Sequence, residues 1–86
     1  MVIEAMADGG VLCGLTREDA YALAAQTVLG SAKTVLETGI HPGKLKDAVC
    51  SPGGTTIEGV TSLQENGFET AVINAVQASF DKDKRL

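Results

Sequence analysis

The sequence predicts an all-α fold of about five helices that intertwines with a second copy as a dimerisation domain. Three observations carry this. Caps and glycine stops recur at helix-length intervals, and no segment keeps the period-2 alternation of a half-buried strand. One predicted helix is apolar on several sides, which asks for burial on several sides. The chain has 86 residues and only three aromatic side chains, Tyr21, Phe68 and Phe80, which is too little to surround that helix.

The elements follow from local signals. Val2 to Ala7 reads as the tail of a helix stopped by Gly9-Gly10. Thr16 opens the next helix. Its hydroxyl suits the cap, and Glu18 and Asp19 sit at the positive helix end. That helix runs to about Thr38, with Gly39 just beyond it. Pro42 suits a first helical position after His41, giving a short helix to about Val49. Thr55-Thr56-Ile57-Glu58 reads as a capping box, with Thr55 as cap and Glu58 reaching back. The helix it opens ends at Gly67. The last helix begins near Phe68 and runs toward Asp81-Lys82-Asp83-Lys84-Arg85, whose cations favour the negative helix end.

On this reading eight of the ten glycines lie in loops or caps, and Gly30 and Gly59 are the exceptions. A glycine inside a helix costs roughly 1 kcal/mol against alanine. At Gly30, before Ser31 and Ala32, close approach of another backbone offsets that cost, or the position simply tolerates it.

The long helix carries two apolar stripes. Ala20, Leu23, Ala24, Thr27, Val28, Ser31 and Val35 follow one, and Ala25, Leu29, Ala32 and Leu36 the other. The last helix has a single stripe through Phe68, Ala71, Val72, Ala75, Val76 and Phe80. A five-helix monomer with its own core is one arrangement. A homodimer with interleaved helices, extending to a larger ring of dimers, is the favoured one.

Composition removes several function classes. Seven Lys plus Arg against eleven Asp plus Glu give a net charge of −4 and a pI near 4.7, so no nucleic-acid or anionic-membrane partner is expected. A hydrophobic content of 44% with mean hydropathy +0.13 is globular. No apolar run approaches the ~20 residues of a membrane span, and no basic stretch precedes an apolar one as in a signal peptide. Cys13 and Cys50 form no CxxC, and His41 is the one histidine, so no metal site is expected. Lone thiols fit a reducing, cytoplasmic setting.

Ser51-Pro52-Gly53-Gly54-Thr55-Thr56 is the segment that carries chemistry. It leads into a helix N-terminus, whose first N–H groups lack intrahelical acceptors and have the dipole behind them. Hydroxyls of Ser51, Thr55 and Thr56 add donors. The run has no Lys for a GxxxxGK[ST] phosphate loop and no strand or GxGxxG spacing for a dinucleotide loop. A single carboxylate fits better than a polyphosphate. A glycine-rich interhelix loop with no ligand is the plainer reading of the same residues. Cys50 has no visible base beside it and reads as an inert thiol, His41 as a helix cap, and Lys44 and Lys46 as solvated charges.

Three segments in order, His41-Pro42-Gly43-Lys44-Leu45-Lys46-Asp47, then Ser51 to Thr56, then Gly67-Phe68 with Asn74-Ala75-Val76, resemble the C-terminal signature of pyrroline-5-carboxylate reductase. Glu4 to Val11 and Gly14-Leu15 also resemble the start of that family's C-terminal domain. The family joins an N-terminal Rossmann domain, which binds NAD(P)H, to a helical dimerisation domain. Residues 1–86 are read as the second part alone, without the dinucleotide-binding domain. No residue here is assigned to a cofactor, and the chain by itself is expected to be inactive.

The family's reaction reduces the C=N bond of 1-pyrroline-5-carboxylate to give proline. The resemblance implies that Ser51 and the N–H groups of Thr55 and Thr56 hold the substrate carboxylate, with Gly53 and Gly54 shaping the loop. It implies that the Thr56 hydroxyl, the catalytic position, hydrogen-bonds the ring nitrogen. Val49 and Cys50 fall beside the pocket and contribute shape. The alternative is a purely structural helical oligomerisation module without ligand.

Overall fold

A computed structural model describes residues 1–83 and contains five helices: α1 (Val2–Leu12), α2 (Arg17–Thr38), α3 (Pro42–Val49), α4 (Thr55–Glu65) and α5 (Phe68–Lys82). Among the described residues there is no strand. The fold is all-α, as the spacing of caps and stops predicts. Lys84 and Arg85 of the predicted charged tail lie outside the described residues. No described helix is long and apolar enough to cross a membrane. The chain divides into two compact units, Met1–Pro42 and Gly43–Leu86.

In the first unit α1 packs on α2. The buried side chains are Ala7, Ala20 and Ala24, with Val11 against them. Methyl-sized residues let the two helices approach closely. Gly10 extends this contact: a Cβ there would lie 3.2 Å from Leu15 Cδ1 and 3.3 Å from Ala20 Cβ. Gly9-Gly10 therefore does not stop the helix, contrary to the sequence expectation. α1 continues to Leu12 because Gly10 serves packing, and the turn comes later, at Gly14 (φ 111°). There the Gly14 N–H donates to Val11 O at 3.0 Å and the Leu15 N–H to Gly10 O at 3.0 Å.

The entry to α2 is as predicted. Thr16 is extended (φ −66°, ψ 155°), and its hydroxyl accepts from the Asp19 N–H at 3.2 Å. Beside it Arg17 donates to Asp8 at 2.5 Å and lies over the Tyr21 ring, 5.8 Å from its centroid. The bond to Asp8 raises the guanidinium pKa above its ordinary value. At the far end Gly39 takes the left-handed conformation (φ 66°, ψ 8°), and its N–H donates to Val35 O at 3.0 Å. Along α2 the hydroxyls of Thr27, Thr34 and Thr38 each donate to the carbonyl four residues earlier. Their polar hydrogens are thus satisfied within the helix.

The long helix is not enclosed. Of its apolar positions only Ala20 and Ala24 are buried, while Leu29 is 60% and Leu36 84% exposed. Among the described residues nothing outside the helix's own backbone lies within 4 Å of where a Gly30 Cβ would be.

In the second unit α4 packs on α5 through a tight corner. The Asn66 N–H donates to Ser62 O at 3.1 Å, and its side-chain amide donates to the same carbonyl at 2.9 Å. Gly67 (φ 73°, ψ 30°) ends one helix and begins the next. No residue of α3, α4 or α5 is buried. The stripe on α5 is solvent-facing in this chain, with Val76 67% and Phe80 49% exposed. A generous monomeric core is therefore overturned. So is the glycine count, since Gly9, Gly10, Gly30, Gly43 and Gly59 all lie inside helices.

Candidate functional site

The turn between α3 and α4 is built by its sequence. α3 closes at Val49, where the Cys50 N–H donates to Asp47 O at 3.2 Å. The chain then reverses over Ser51-Pro52-Gly53-Gly54, closed by the Gly54 N–H on Ser51 O at 3.0 Å. Proline at the second place fixes its φ, and Gly53 at the third has φ 68°. That is the type II pattern, whose third residue needs positive φ and hence glycine.

The turn also sets where α4 starts. Gly54 emerges extended (φ −80°, ψ 172°) as the N-cap, with no side-chain cap bond. Thr55 is already the first helical residue, so the predicted capping box of Thr55 and Glu58 does not form. Closure of the turn on Gly54 moves the cap one residue earlier, and Thr55 loses the extended backbone a capping hydroxyl needs. The Glu58 N–H donates to Gly54 O at 3.4 Å.

Gly54 has a second constraint. A Cβ there would collide with the Ser51 Oγ and lie 3.2 Å from Ser51 O. The space a side chain would fill is where the Ser51 hydroxyl sits. The turn therefore places the Ser51 hydroxyl next to the start of α4, whose first N–H groups, those of Thr55, Thr56 and Ile57, have no acceptor within the helix. A hydroxyl, a short row of amides and the helix dipole converge there, the chemistry of a small anion cradle.

The structure brings Ser51, Gly53, Gly54, Thr55 and Thr56 together in this one turn, with Val49 and Cys50 leading into it. Val49 is 62% exposed and Cys50 half-buried. Cys13 is exposed and lies in the first unit, near the α1–α2 connection. Lys46 pairs with Asp47 at 3.2 Å, both exposed, as solvated helix charges do. Among the described residues no group of three His, Cys, Asp or Glu is placed to hold a metal. A shallow depression of about 260 Å³ lies at the α4–α5 corner, lined by Gln64, Gly67, Glu69 and Thr70, and contains none of the predicted site residues. Sequence reasoning missed the role of Gly54 as cap. The signal that finds it is Pro52-Gly53, which fixes the turn and therefore its exit.

Residues 1–86 match the family described as pyrroline-5-carboxylate reductase dimerisation. The chain belongs to that family. It is 62% identical over 86 residues to pyrroline-5-carboxylate reductase of Escherichia coli, covering 100% of this chain and 32% of the relative. It is 60% identical over 85 residues to the enzyme of Methanosarcina acetivorans, covering 99% and 32%. Among solved structures, the pyrroline carboxylate reductase of Plasmodium falciparum with NADP bound superposes with a TM-score of 0.89 at 42% identity, covering 96% of this chain and 32% of that one. The Streptococcus pyogenes enzyme gives 0.90 at 40% identity, covering 98% and 32%. The chain thus spans about a third of the length of the relatives it matches.

Proposed function

We propose that this chain is a self-association segment of a pyrroline-5-carboxylate reductase, forming a homodimer that extends to a ring of dimers. The observation that carries this is the pattern of burial. The first unit buries three alanines, the helices of the second bury nothing, and the larger apolar residues of α2 and α5 face outward. Exposed apolar faces of this extent mark interaction surfaces. Family membership supports a second copy as the partner.

Substitutions on α5 test the reading. Ile73 and Val76 are 65% and 67% exposed, so they contribute little to packing within one chain. Ile73→Asp with Val76→Asp is expected to lower the light-scattering mass of the protein from a multimer to that of one chain, 8.9 kDa. An unchanged multimeric mass would remove α5 from the interface.

A second reading is favoured by one observation, the fit of the Ser51 hydroxyl into the space Gly54 leaves beside the α4 amides. In this reading the turn is part of the substrate pocket of the parent enzyme. The N–H groups of Thr55 and Thr56 and the Ser51 hydroxyl donate to the carboxylate of 1-pyrroline-5-carboxylate. The Thr56 hydroxyl donates to the ring nitrogen, and this bond strengthens as the nitrogen gains electron density during reduction. Gly53 and Gly54 keep the backbone open to the ligand, and Val49 and Cys50 flank it. The parent enzyme uses NAD(P)H. The described residues contain no strand followed by a glycine loop and a helix, so none of them is assigned to that cofactor.

In a full-length reductase carrying this segment, Thr56→Ala is expected to lower kcat on the order of 10²-fold with a smaller change in KM. Ser51→Ala is expected to raise KM with kcat nearly kept, because it removes binding common to ground and transition states. Steady-state kinetics on both variants checks the assignment. Loss of affinity alone in Thr56→Ala would make Thr56 a clamp.

A further inference from the structure

We infer that Gly54 is a positioning residue: by carrying no side chain it keeps the Ser51 hydroxyl beside the start of α4 and withholds the cap that α4 would otherwise take from its own chain. The inference rests on the pocket reading of the turn given above. It assigns Gly54 a task beyond leaving the backbone open.

Backbone conformation does not ask for glycine here. Gly54 is extended (φ −80°, ψ 172°), a region that any residue adopts, whereas Gly53 beside it has φ 68°. Thr16, at the entry of α2, has a similar backbone (φ −66°, ψ 155°), and its hydroxyl caps that helix by accepting from the Asp19 N–H at 3.2 Å. A serine, threonine or asparagine in place of Gly54 is therefore set to do for α4 what Thr16 does for α2. α4 has no side-chain cap bond.

The neighbour that decides the residue is Ser51. A Cβ on residue 54 would collide with Ser51 Oγ, lie 3.2 Å from Ser51 O and stand at an ordinary 3.6 Å from Ser51 Cβ. Only the Oγ contact is prohibitive, and Oγ moves by rotation about a single bond. A small side chain at 54 thus leaves the turn its fold and swings the Ser51 hydroxyl away from the substrate carboxylate. A capping side chain goes further. It accepts from the N–H of Thr56 or Ile57, the second and third residues of α4, and Thr56 is one of the amides assigned to the carboxylate.

Gly54→Ala and Gly54→Asn in a full-length reductase carrying this segment test the inference, by thermal unfolding and steady-state kinetics. Asparagine is among the best capping residues and alanine among the poorest, so Gly54→Asn is expected to melt roughly 2 °C or more above Gly54→Ala. Affinity is expected to run the other way. KM for 1-pyrroline-5-carboxylate rises roughly tenfold in Gly54→Ala, the usual worth of a hydrogen bond to a charged group, and further in Gly54→Asn, with kcat kept within about threefold. Added to Ser51→Ala, where the hydroxyl is already gone, Gly54→Ala is expected to raise KM less than about twofold more.

A purely structural role makes the more stable variant the better binder, and that order overturns the inference. So does a full KM effect of Gly54→Ala on top of Ser51→Ala. Unchanged KM in Ser51→Ala alone removes the pocket reading, and the inference with it. Where a Gly54 variant does not fold, the pair is compared on Ser51→Ala, which lacks the colliding oxygen. There the asparagine variant is still expected to be the more stable and the weaker binder. The opposite order, or failure to fold there too, overturns the inference.

Discussion

Both units turn the chain at glycines of positive φ, Gly14 and Gly39 in the first and Gly53 and Gly67 in the second, but only the first uses a glycine to bring two helices together. In the α1–α2 unit, Gly10 sits inside a helix and is valuable for what it lacks, because Ala20 and Leu15 occupy the space around a missing Cβ. In the α3–α5 unit, Gly53 and Gly67 adopt positive φ and bend the chain, while Gly54 makes room for the Ser51 hydroxyl. The first unit gains a small buried contact of alanines and an ion pair, Arg17 with Asp8. The second gains a shaped turn and buries no residue of its three helices. The unit with the better internal packing carries no candidate site, and the unit with the candidate site buries no residue of its helices.

The contrast is broken most directly by filling the α1–α2 contact. Ala20 is 2% exposed and faces Gly10. Ala20→Leu is expected to lower stability by about 1–3 kcal/mol, the usual cost of overpacking, read as a lower urea midpoint at fixed concentration. Equal stability in the variant would mean that the contact is loose and the two units are alike.

A smaller effect sharpens the comparison at the two helix entries. Thr16 accepts a capping bond and Thr55 does not. Thr16→Ala is expected to cost about 1 kcal/mol, whereas Thr55→Ala is expected to cost a few tenths at most. Thermal unfolding of the two variants side by side distinguishes them. Equal losses would restore the capping box at Thr55.

What was legible in the sequence follows the range of the forces involved. Thr16, Gly39, Pro42 and Gly67 act within one helical turn, so they reveal their boundaries locally, and the starts of α2, α3 and α5 are where those signals put them. Gly9-Gly10 misleads because Gly10 packs against Ala20, on another helix. Thr55 and Glu58 match a capping pattern, but Pro52-Gly53 closes a turn onto Gly54 and shifts the cap by one residue. The candidate site is legible because it is one continuous run, Ser51 to Thr56, whose groups need no distant segment to meet. The chemical assignment of Thr56 is not legible in the turn, since a hydroxyl at a helix start suits many anions or none. The apolar stripes of α2 and α5 are legible as faces, and among the described residues their larger side chains, such as Leu29, Leu36, Ile73 and Val76, stay exposed.

Sedimentation equilibrium of the unaltered 86-residue chain at micromolar concentration tests the central claim, that a second copy covers these faces. The expected mass is at least twice 8.9 kDa, together with a helical circular dichroism spectrum. A folded, helical species sedimenting at 8.9 kDa would contradict it.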